Sequence, residues 1–572
     1  MTESRDKTSP AIERDWDVIV VGSGVGGLVS AGYLAASGRK VLVLEQHDVA
    51  GGNGHVFRRR RSYEFDVGIH YVGDCGPGGL LPSILAGLGV SDRVPFRRMD
   101  DDRFDRIILP SVSMDVPTGW PRYLAQLVKA LPEEAAGLTT FAEVCEAVAW
   151  ANREIMIDPS KRVGDMTGAV RRWIRRTLTQ LFDHCGLSMK ARTLLAAQSG
   201  NYGTPPSQVL VVMHATMIDE CLRGSYYPAG GGQTVVAALV EALESHGATL
   251  LTKTRVDRIE VENGRVTGVR LTDGTSLCAP IVVSNADLKR TVLELTDGAF
   301  SEQETKRAEK AQMRLSTSTV YLALDRELDL PNGNIWYWPG EDVDHAYAQI
   351  EAGVMDPQFA LLSFPSLKDH GAASVCPRGH TNIQILTLVP RGYEPWGLSA
   401  GPAGGASYRR EPAYLRAKAG LTESLLEMTE AVIGPFRDNI THVETATPLT
   451  HERYTRSTGG GAYGMASWGP AGRQPEVETS VEGLYLAGQN TRYGSGVTGV
   501  ALSGLACASS IVDRKLLPEV YRGAVFGNPE LLPERENGWD PLAVSRGAAR
   551  RNARGLAKID NPRHALPAGG LT

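Results

Sequence analysis

DVIVVGSGVGGLVSAGYLAASGRKVLVLE, residues 17 to 45, decides how the rest of the chain is read. Val18 to Val21 is a β-branched run of the kind that forms a parallel strand buried on both faces. It enters Gly22-Ser23-Gly24-Val25-Gly26-Gly27, then a helical stretch closing at Gly38, then a second apolar strand ending in Glu45. Strand, Gly-x-Gly-x-x-Gly, helix, strand and acid is the order of a dinucleotide-binding unit. Gly22 permits the tight turn, Gly24 lets backbone N–H groups approach a pyrophosphate, and Gly27 lets helix and strand pack closely. The helix N-terminus adds partial positive charge for the phosphates. Glu45 can accept hydrogen bonds from a ribose hydroxyl. The glycines alone would be a weak signal; the surrounding elements make it a strong one.

Ala50-Gly51-Gly52-Asn53 follows almost directly, and its glycine pair suits a loop running beside a bound dinucleotide. Beyond it, His55–Phe57 and Tyr63–Asp66 bracket four consecutive arginines, 58 to 61. Such a run suggests either a polyanion site or a solvated hairpin tip, and the flanking strands favour the hairpin. EFDVGIHYVG, residues 64 to 73, then carries Asp66, Gly68, His70 and Tyr71 through what is otherwise a strand-like segment.

The 572 residues exceed what one hydrophobic core usually serves, so two or more domains are expected. A net charge of −5, from 60 basic and 65 acidic residues, makes nucleic acid an unsuitable general partner. Seven scattered cysteines, without a C-x-x-C pair or metal-ligand spacing, read as reduced thiols of a cytoplasmic protein without a metal site. Asp100-Asp101-Asp102 has no His or Cys beside it and reads as a solvated turn. The first seventeen residues lack the apolar core of a signal peptide, and no run of about eighteen apolar residues supports a spanning helix.

LVLEQHDVAGGNGHVFRRRRSYEFDVGIHYVG (42–73) resembles the cofactor-binding start of the retinol saturase, carotenoid isomerase and phytoene desaturase superfamily, closest to the retinol saturase branch. The likeness continues through NYGTPPS (201–207), GSYYPAGG (224–231), FPSLKD (364–369) and GLYLAGQN (483–490), in the expected order. The resemblance implies an α/β fold: a Rossmann-type FAD-binding domain of a glutathione reductase-like, two-domain flavoprotein, with a discontinuous α+β substrate domain. The FAD would be non-covalent and an apolar tunnel would end at its ring. On this reading residues 14–74, 225–295 and 446–515 form the FAD domain. Residues 75–224, mainly helical, and 296–445, with strands near 316–324, 359–364 and 382–389, form the substrate domain. Residues 516–572 are a tail.

The resemblance further implies cofactor contacts at Val256, through its backbone, and at Gly488, Asn490 and Val500 near a second glycine-rich turn. Saturase-like relatives have Asp where Asn490 stands, which keeps hydrogen bonding but removes a charge. His70 and Tyr71 fall near the reacting end of the flavin; the alternative for His70 is a structural histidine bonded to backbone. The implied activity is FAD-dependent oxidoreduction at carbon–carbon double bonds of an apolar isoprenoid or polyene, retinoid- or carotenoid-like, as saturase, desaturase or isomerase. Two alternatives stand beside it. A flavin amine oxidase would want an aromatic cage beside the flavin and often a lysine. A non-catalytic prenyl- or lipid-binding protein would have no use for the complete fingerprint. No second strand, G-x-G-x-x-G and helix unit occurs, so an external electron donor or acceptor is expected. Pro541 to Ile559 is basic without an acid, and reads as a mobile or surface-packed helix or as a peripheral contact with an anionic membrane.

Overall fold

The computed structural model describes residues 15–158, 161, 167–372, 374–466 and 474–551. Its centre is a parallel five-stranded sheet in the order Thr249–Leu251, Val41–Leu44, Val18–Val21, Ile281–Ser284, Leu484–Leu486. The sequence's first βαβ unit pairs in register, Val18 opposite Val41 and Val21 opposite Leu44. Strands from two distant segments complete it on either side. Val18–Val21 and Val41–Leu44 are buried along their whole length, as their uniformly apolar sequence requires. The Val25–Ala36 helix packs against helices Gly232–Ser245 and Val497–Ile511. The last contact is backbone on backbone: a Cβ at Gly504 would lie 2.1 Å from the Gly26 carbonyl oxygen.

A seven-stranded sheet forms the second layer, in the order Ile440–Ala446, Ser316–Leu324, Thr381–Val389, Ala360–Ser363, Asn334–Tyr337, Asp105–Ile108, Ser113–Val116. All its pairings are antiparallel except Asn334–Tyr337 with Asp105–Ile108. Helices bearing Leu127, Phe141 and Ala215 bury one face, and Leu421 and Leu425 of the Pro412–Ile433 helix bury the other. The expected Rossmann-type α/β domain and α+β partner are both present. Two details add to the reading. Residues 75–224 are mainly helical, and their short strands Asp105–Ile108 and Ser113–Val116 join the large sheet. The cofactor-domain core also continues past residue 295: Phe300, Ala308 and Met313 pack with Ile19 and Leu42.

The charged segments are accounted for locally. Val56–Arg59 and Tyr63–Asp66 form the expected hairpin, with Arg60 and Arg61 at positive φ in its turn. Arg58 binds Glu64 and Asp540, and Arg59 binds Glu444, so neither is free for a polyanion. Asp100 caps its own turn through the Asp102 N–H at 2.8 Å, while Asp101 pairs with Arg98 and Asp102 with Arg122. The tail corrects the single-helix reading of 541–559. Its helix spans only Pro541–Val544, a turn follows, and a new helical start covers 548–551. The Ser545 carbonyl accepts from Ala50 N–H at 2.8 Å, and Arg551 pairs with Glu244 at 2.9 Å. These basic groups therefore turn toward the cofactor domain; Arg554 and Lys558 lie outside the described residues. Among the described residues no helix is long and apolar enough to cross a membrane.

Gly504→Ala should lower the unfolding free energy by about 1–3 kcal/mol, since the helix pair cannot accommodate the added carbon. Gly420→Ala, in an exposed helical position with nothing within 4 Å of its Cβ, should instead raise it by up to about 1 kcal/mol. Denaturant titration of both variants checks the contrast.

Candidate cofactor site and the His70 segment

A cavity of about 610 Å³ runs along the carboxyl ends of the central strands. Gly22, Gly24 and Gly26 of the first turn line it, as do Glu45, Gly51, Gly52, Asn53, Val256, Gly488, Asn490 and Val500. Gly22 has φ +95°, a conformation that a side chain resists, and this bends the chain from strand into helix. A Cβ at Gly26 would lie 2.9 Å from both the Gly488 nitrogen and the Val500 carbonyl oxygen, so the two glycine-rich turns touch. Gly27 and Ser23 stand behind the lining. Gly27 serves the helix–strand contact, its Cβ position being 2.4 Å from the Gly22 carbonyl oxygen.

Ser23 works through Glu45. One carboxylate oxygen of Glu45 accepts from the Ser23 N–H at 2.9 Å and its hydroxyl at 2.7 Å, and the other from the His47 N–H at 2.8 Å. Three donors thus fix a buried negative charge at the cavity's edge before any ligand arrives. Asn53 Oδ1, also on the lining, is buried without a hydrogen-bond partner. Asn490 uses its Oδ1 to accept from the Met465 N–H at 2.9 Å, a bond that a neutral amide and a carboxylate can both make.

At the other end the lining includes His70, Thr317, Leu386 and Tyr463. The His70 ring bonds a side chain and not backbone: Nδ1 lies 2.7 Å from Gln384 Oε1. Burial, with the Lys368 ammonium nearby, pulls its pKa down to about 3. His70 is therefore a neutral imidazole with Nδ1–H donating to Gln384 and the Nε2 lone pair free, an acceptor and not a stored proton. Tyr71 departs from expectation. It is absent from the lining, and its hydroxyl donates to Asp105 at 3.2 Å and accepts from Asn201 at 2.8 Å.

Residues 25–373 match the family described as flavin containing amine oxidoreductase. The chain belongs to that family. Its cofactor is accordingly a flavin, and its class is oxidoreductase. Among curated relatives, all-trans-retinol 13,14-reductase of Danio rerio is 26% identical over 551 residues, covering 89% of this chain and 88% of that protein. Prolycopene isomerase 2, chloroplastic, of an Oncidium hybrid cultivar is 28% identical over 518 residues, covering 87% and 84%. Among solved structures, an oxidoreductase from Methanosarcina mazei (18% identical, TM-score 0.59) covers 87% of this chain and 100% of its own. Putrescine oxidase bound to putrescine (15% identical, TM-score 0.59) covers 87% and 99%. Both share the fold.

Behind the His70 segment of this amine oxidoreductase family member lies a network that the sequence reading missed. Asp105 is fully buried and accepts from Gln198 at 2.5 Å, Asn334 at 2.8 Å, Trp336 at 3.0 Å and Tyr71. Asp66 accepts from the Tyr227 hydroxyl at 2.5 Å and the Gly232 N–H at 2.7 Å. Burial pushes each carboxyl up to about 6. Lys368 joins them: its Nζ donates to the His70 carbonyl and the Ser363 hydroxyl, both at 2.7 Å. It also stands 5.7 Å from the Tyr227 ring and 6.0 Å from that of Tyr71. Burial pulls Lys368 down to about 7, against the opposing pull of Asp105 and Asp66. The available signal was slight: an acid at 105 on the inward register of the short strand Asp105–Ile108, and a lysine within FPSLKD.

The folded-state pKa of Lys368 lies below its ordinary value, so the unfolded chain holds the extra proton between about pH 7 and 10.5. Stability from this group therefore rises with pH across that window. The stability of the wild type relative to Lys368→Met should grow from pH 7 to pH 10; a constant difference in urea unfolding would mean that Lys368 keeps its ordinary proton.

Proposed function

We propose that the protein holds FAD non-covalently in the glycine-lined cavity and acts on carbon–carbon double bonds of an apolar polyene, saturating, desaturating or isomerising them. The observation that carries this reading is the continuity of one cavity from a preorganised ribose acceptor, Glu45, to an end where His70 is held neutral. The relatives named all-trans-retinol 13,14-reductase and prolycopene isomerase, matched along most of this chain, support a retinoid- or carotenoid-like substrate. The flavin would supply hydride or electron exchange at the polyene. This chain's residues would hold its phosphates at the Gly22–Gly27 turn and its ribose at Glu45. No cysteine lines the cavity among the described residues, which favours a non-covalent cofactor.

Amine oxidation is the reading suggested by the family's description and by the putrescine oxidase fold. It is less well served here. Among the described residues the lining holds no lysine, and Tyr454 and Tyr463 are its only aromatic groups outside the histidines. A lipid carrier without redox chemistry would leave the three-donor arrangement around Glu45 without a role. An external electron partner and a cytoplasmic location belong to the same proposal; all seven cysteines are unpaired, as a reducing compartment allows.

Flavin released from the purified protein should chromatograph as FAD; FMN would overturn the cofactor assignment. Glu45→Ala should weaken FAD binding by about 1.5–3 kcal/mol, the usual value of a hydrogen bond to a charged partner. Anaerobically reduced protein mixed with all-trans-retinol or a poly-cis carotenoid should lose or shift the polyene absorbance. Reoxidation by putrescine-derived imine alone would select the amine reading. His70→Ala should leave flavin content near normal and slow single turnover by less than the roughly hundredfold cost of losing a proton donor.

A further inference from the structure

A second cavity, of about 630 Å³, lies beyond a wall of His47, His55, His451 and Tyr454, residues that line both spaces. Its floor is apolar and aromatic, formed by Phe57, Tyr321, Ala446 and Leu542. Phe57 meets Tyr321 edge to face at 4.8 Å, which makes that floor rigid. The same lining carries Arg409, Lys418 and Arg546, with two acids, Asp48 and Glu444.

The acids are already engaged. Glu444 receives two hydrogen bonds from Arg59, at 2.5 and 2.9 Å. Asp48 faces His47 at 3.4 Å and Arg546 at 3.8 Å. Arg546 nevertheless leaves its Nε buried without an acceptor. Among the described residues the Lys418 ammonium has no hydrogen bond, and burial opposes its charge. Burial pulls its pKa down and Arg409 adds to that, while Glu444 opposes them. The half-buried Lys418 and the exposed Arg409 stand on the lining of this partly apolar cavity, and the nearby Glu444 takes its hydrogen bonds from Arg59, which leaves both cations able to bind the head of an anionic ligand. A free phosphate would satisfy the cations and leave the floor unused. A neutral lipid would do the reverse.

We propose that this second cavity binds an amphiphilic anion, its carboxylate or phosphate head between Arg409 and Lys418 and its apolar body on Phe57, Tyr321 and Leu542. The site is distinct from the cofactor cavity and does not depend on which bond the flavin chemistry changes.

The flavin-loaded protein titrated with cis-parinaric acid, whose fluorescence rises when it leaves water, tests this directly. The corresponding alcohol is the neutral control and inorganic pyrophosphate the competitor without an apolar body. The acid should bind about tenfold more tightly than the alcohol, the scale of a charge-assisted hydrogen bond. Arg409→Gln and Lys418→Met should each remove most of that preference while leaving alcohol binding unchanged. Leu415→Glu, at the exposed rim, should repel the acid alone. Equal binding of acid and alcohol, or equal losses of both in the variants, would overturn the proposal. Displacement of the acid by pyrophosphate at matching affinity would overturn the amphiphile in favour of a small phosphate ligand. Binding is read without turnover, so failure of the polyene chemistry leaves this result standing.

Discussion

The contact on which the molecule depends is the meeting of two backbones, where the helix after the first glycine turn lies against the helix after the last. Gly26 leaves room for the Gly488 nitrogen and the Val500 carbonyl, and Gly504 leaves room for the Gly26 carbonyl. Segments more than 450 residues apart thereby place two glycine-rich turns and two helix N-termini along one cavity. Partial positive charge from both ends and the fixed carboxylate of Glu45 follow from that single approach. Larger side chains at these positions would separate the helices and open the cavity before altering any chemistry.

What was legible in the sequence was what is local and repetitive. Val18–Val21, the glycine turn, the helix, Val41–Leu44 and Glu45 are contiguous, and each has a residue pattern that admits one conformation. Asp105–Ile108 and Ser113–Val116 were not legible. Each is four residues long and interrupted by charge, and the first becomes strand by pairing in parallel with Asn334–Tyr337, which lies more than 200 residues away. The helix Glu302–Lys310 reads as a solvated surface element, yet its Ala308 and the preceding Phe300 close the cofactor-domain core. Of the pair His70–Tyr71, His70 lines the cavity and Tyr71 does not. The chain bends at His70 before the strand Val72–Gly73, and Tyr71 turns its hydroxyl to Asp105 and Asn201 instead.

Tyr71 faces a network of buried charge. Asp66, Lys368 and Asp105 are two acids and one base, each with several hydrogen bonds and each shifted toward its neutral form by burial. Such groups rarely add stability over well-packed apolar residues, but removing one member leaves the others costly to bury. Their position gives the arrangement a use. Lys368 holds the His70 carbonyl while Asp105 and Asn201 hold Tyr71, so the segment opposite the cofactor cavity is fixed by side chains from both insertions of the second domain. A lysine in FPSLKD offers no such information by itself, because its burial comes from the fold around it.

The two cavities also differ in how charge is distributed around them. His55 and His451 stand in the wall between them, and burial draws both down to about 4, so these two imidazoles are uncharged at neutral pH. His451 Nε2 is buried without a partner, and His55 Nδ1 is held by the Gly52 carbonyl at 2.6 Å. Fixed charge stands to either side of these two imidazoles, with Glu45 beside the glycine turns and Asp48, Arg409 and Lys418 on the second cavity. Two neutral imidazoles between charged regions let an apolar chain lie against them without exposing an ion to hydrocarbon. Protonating either imidazole would place a cation there at several pH units below neutrality, so the apolar character of the wall persists through the range in which the fold's own buried carboxyls begin to titrate.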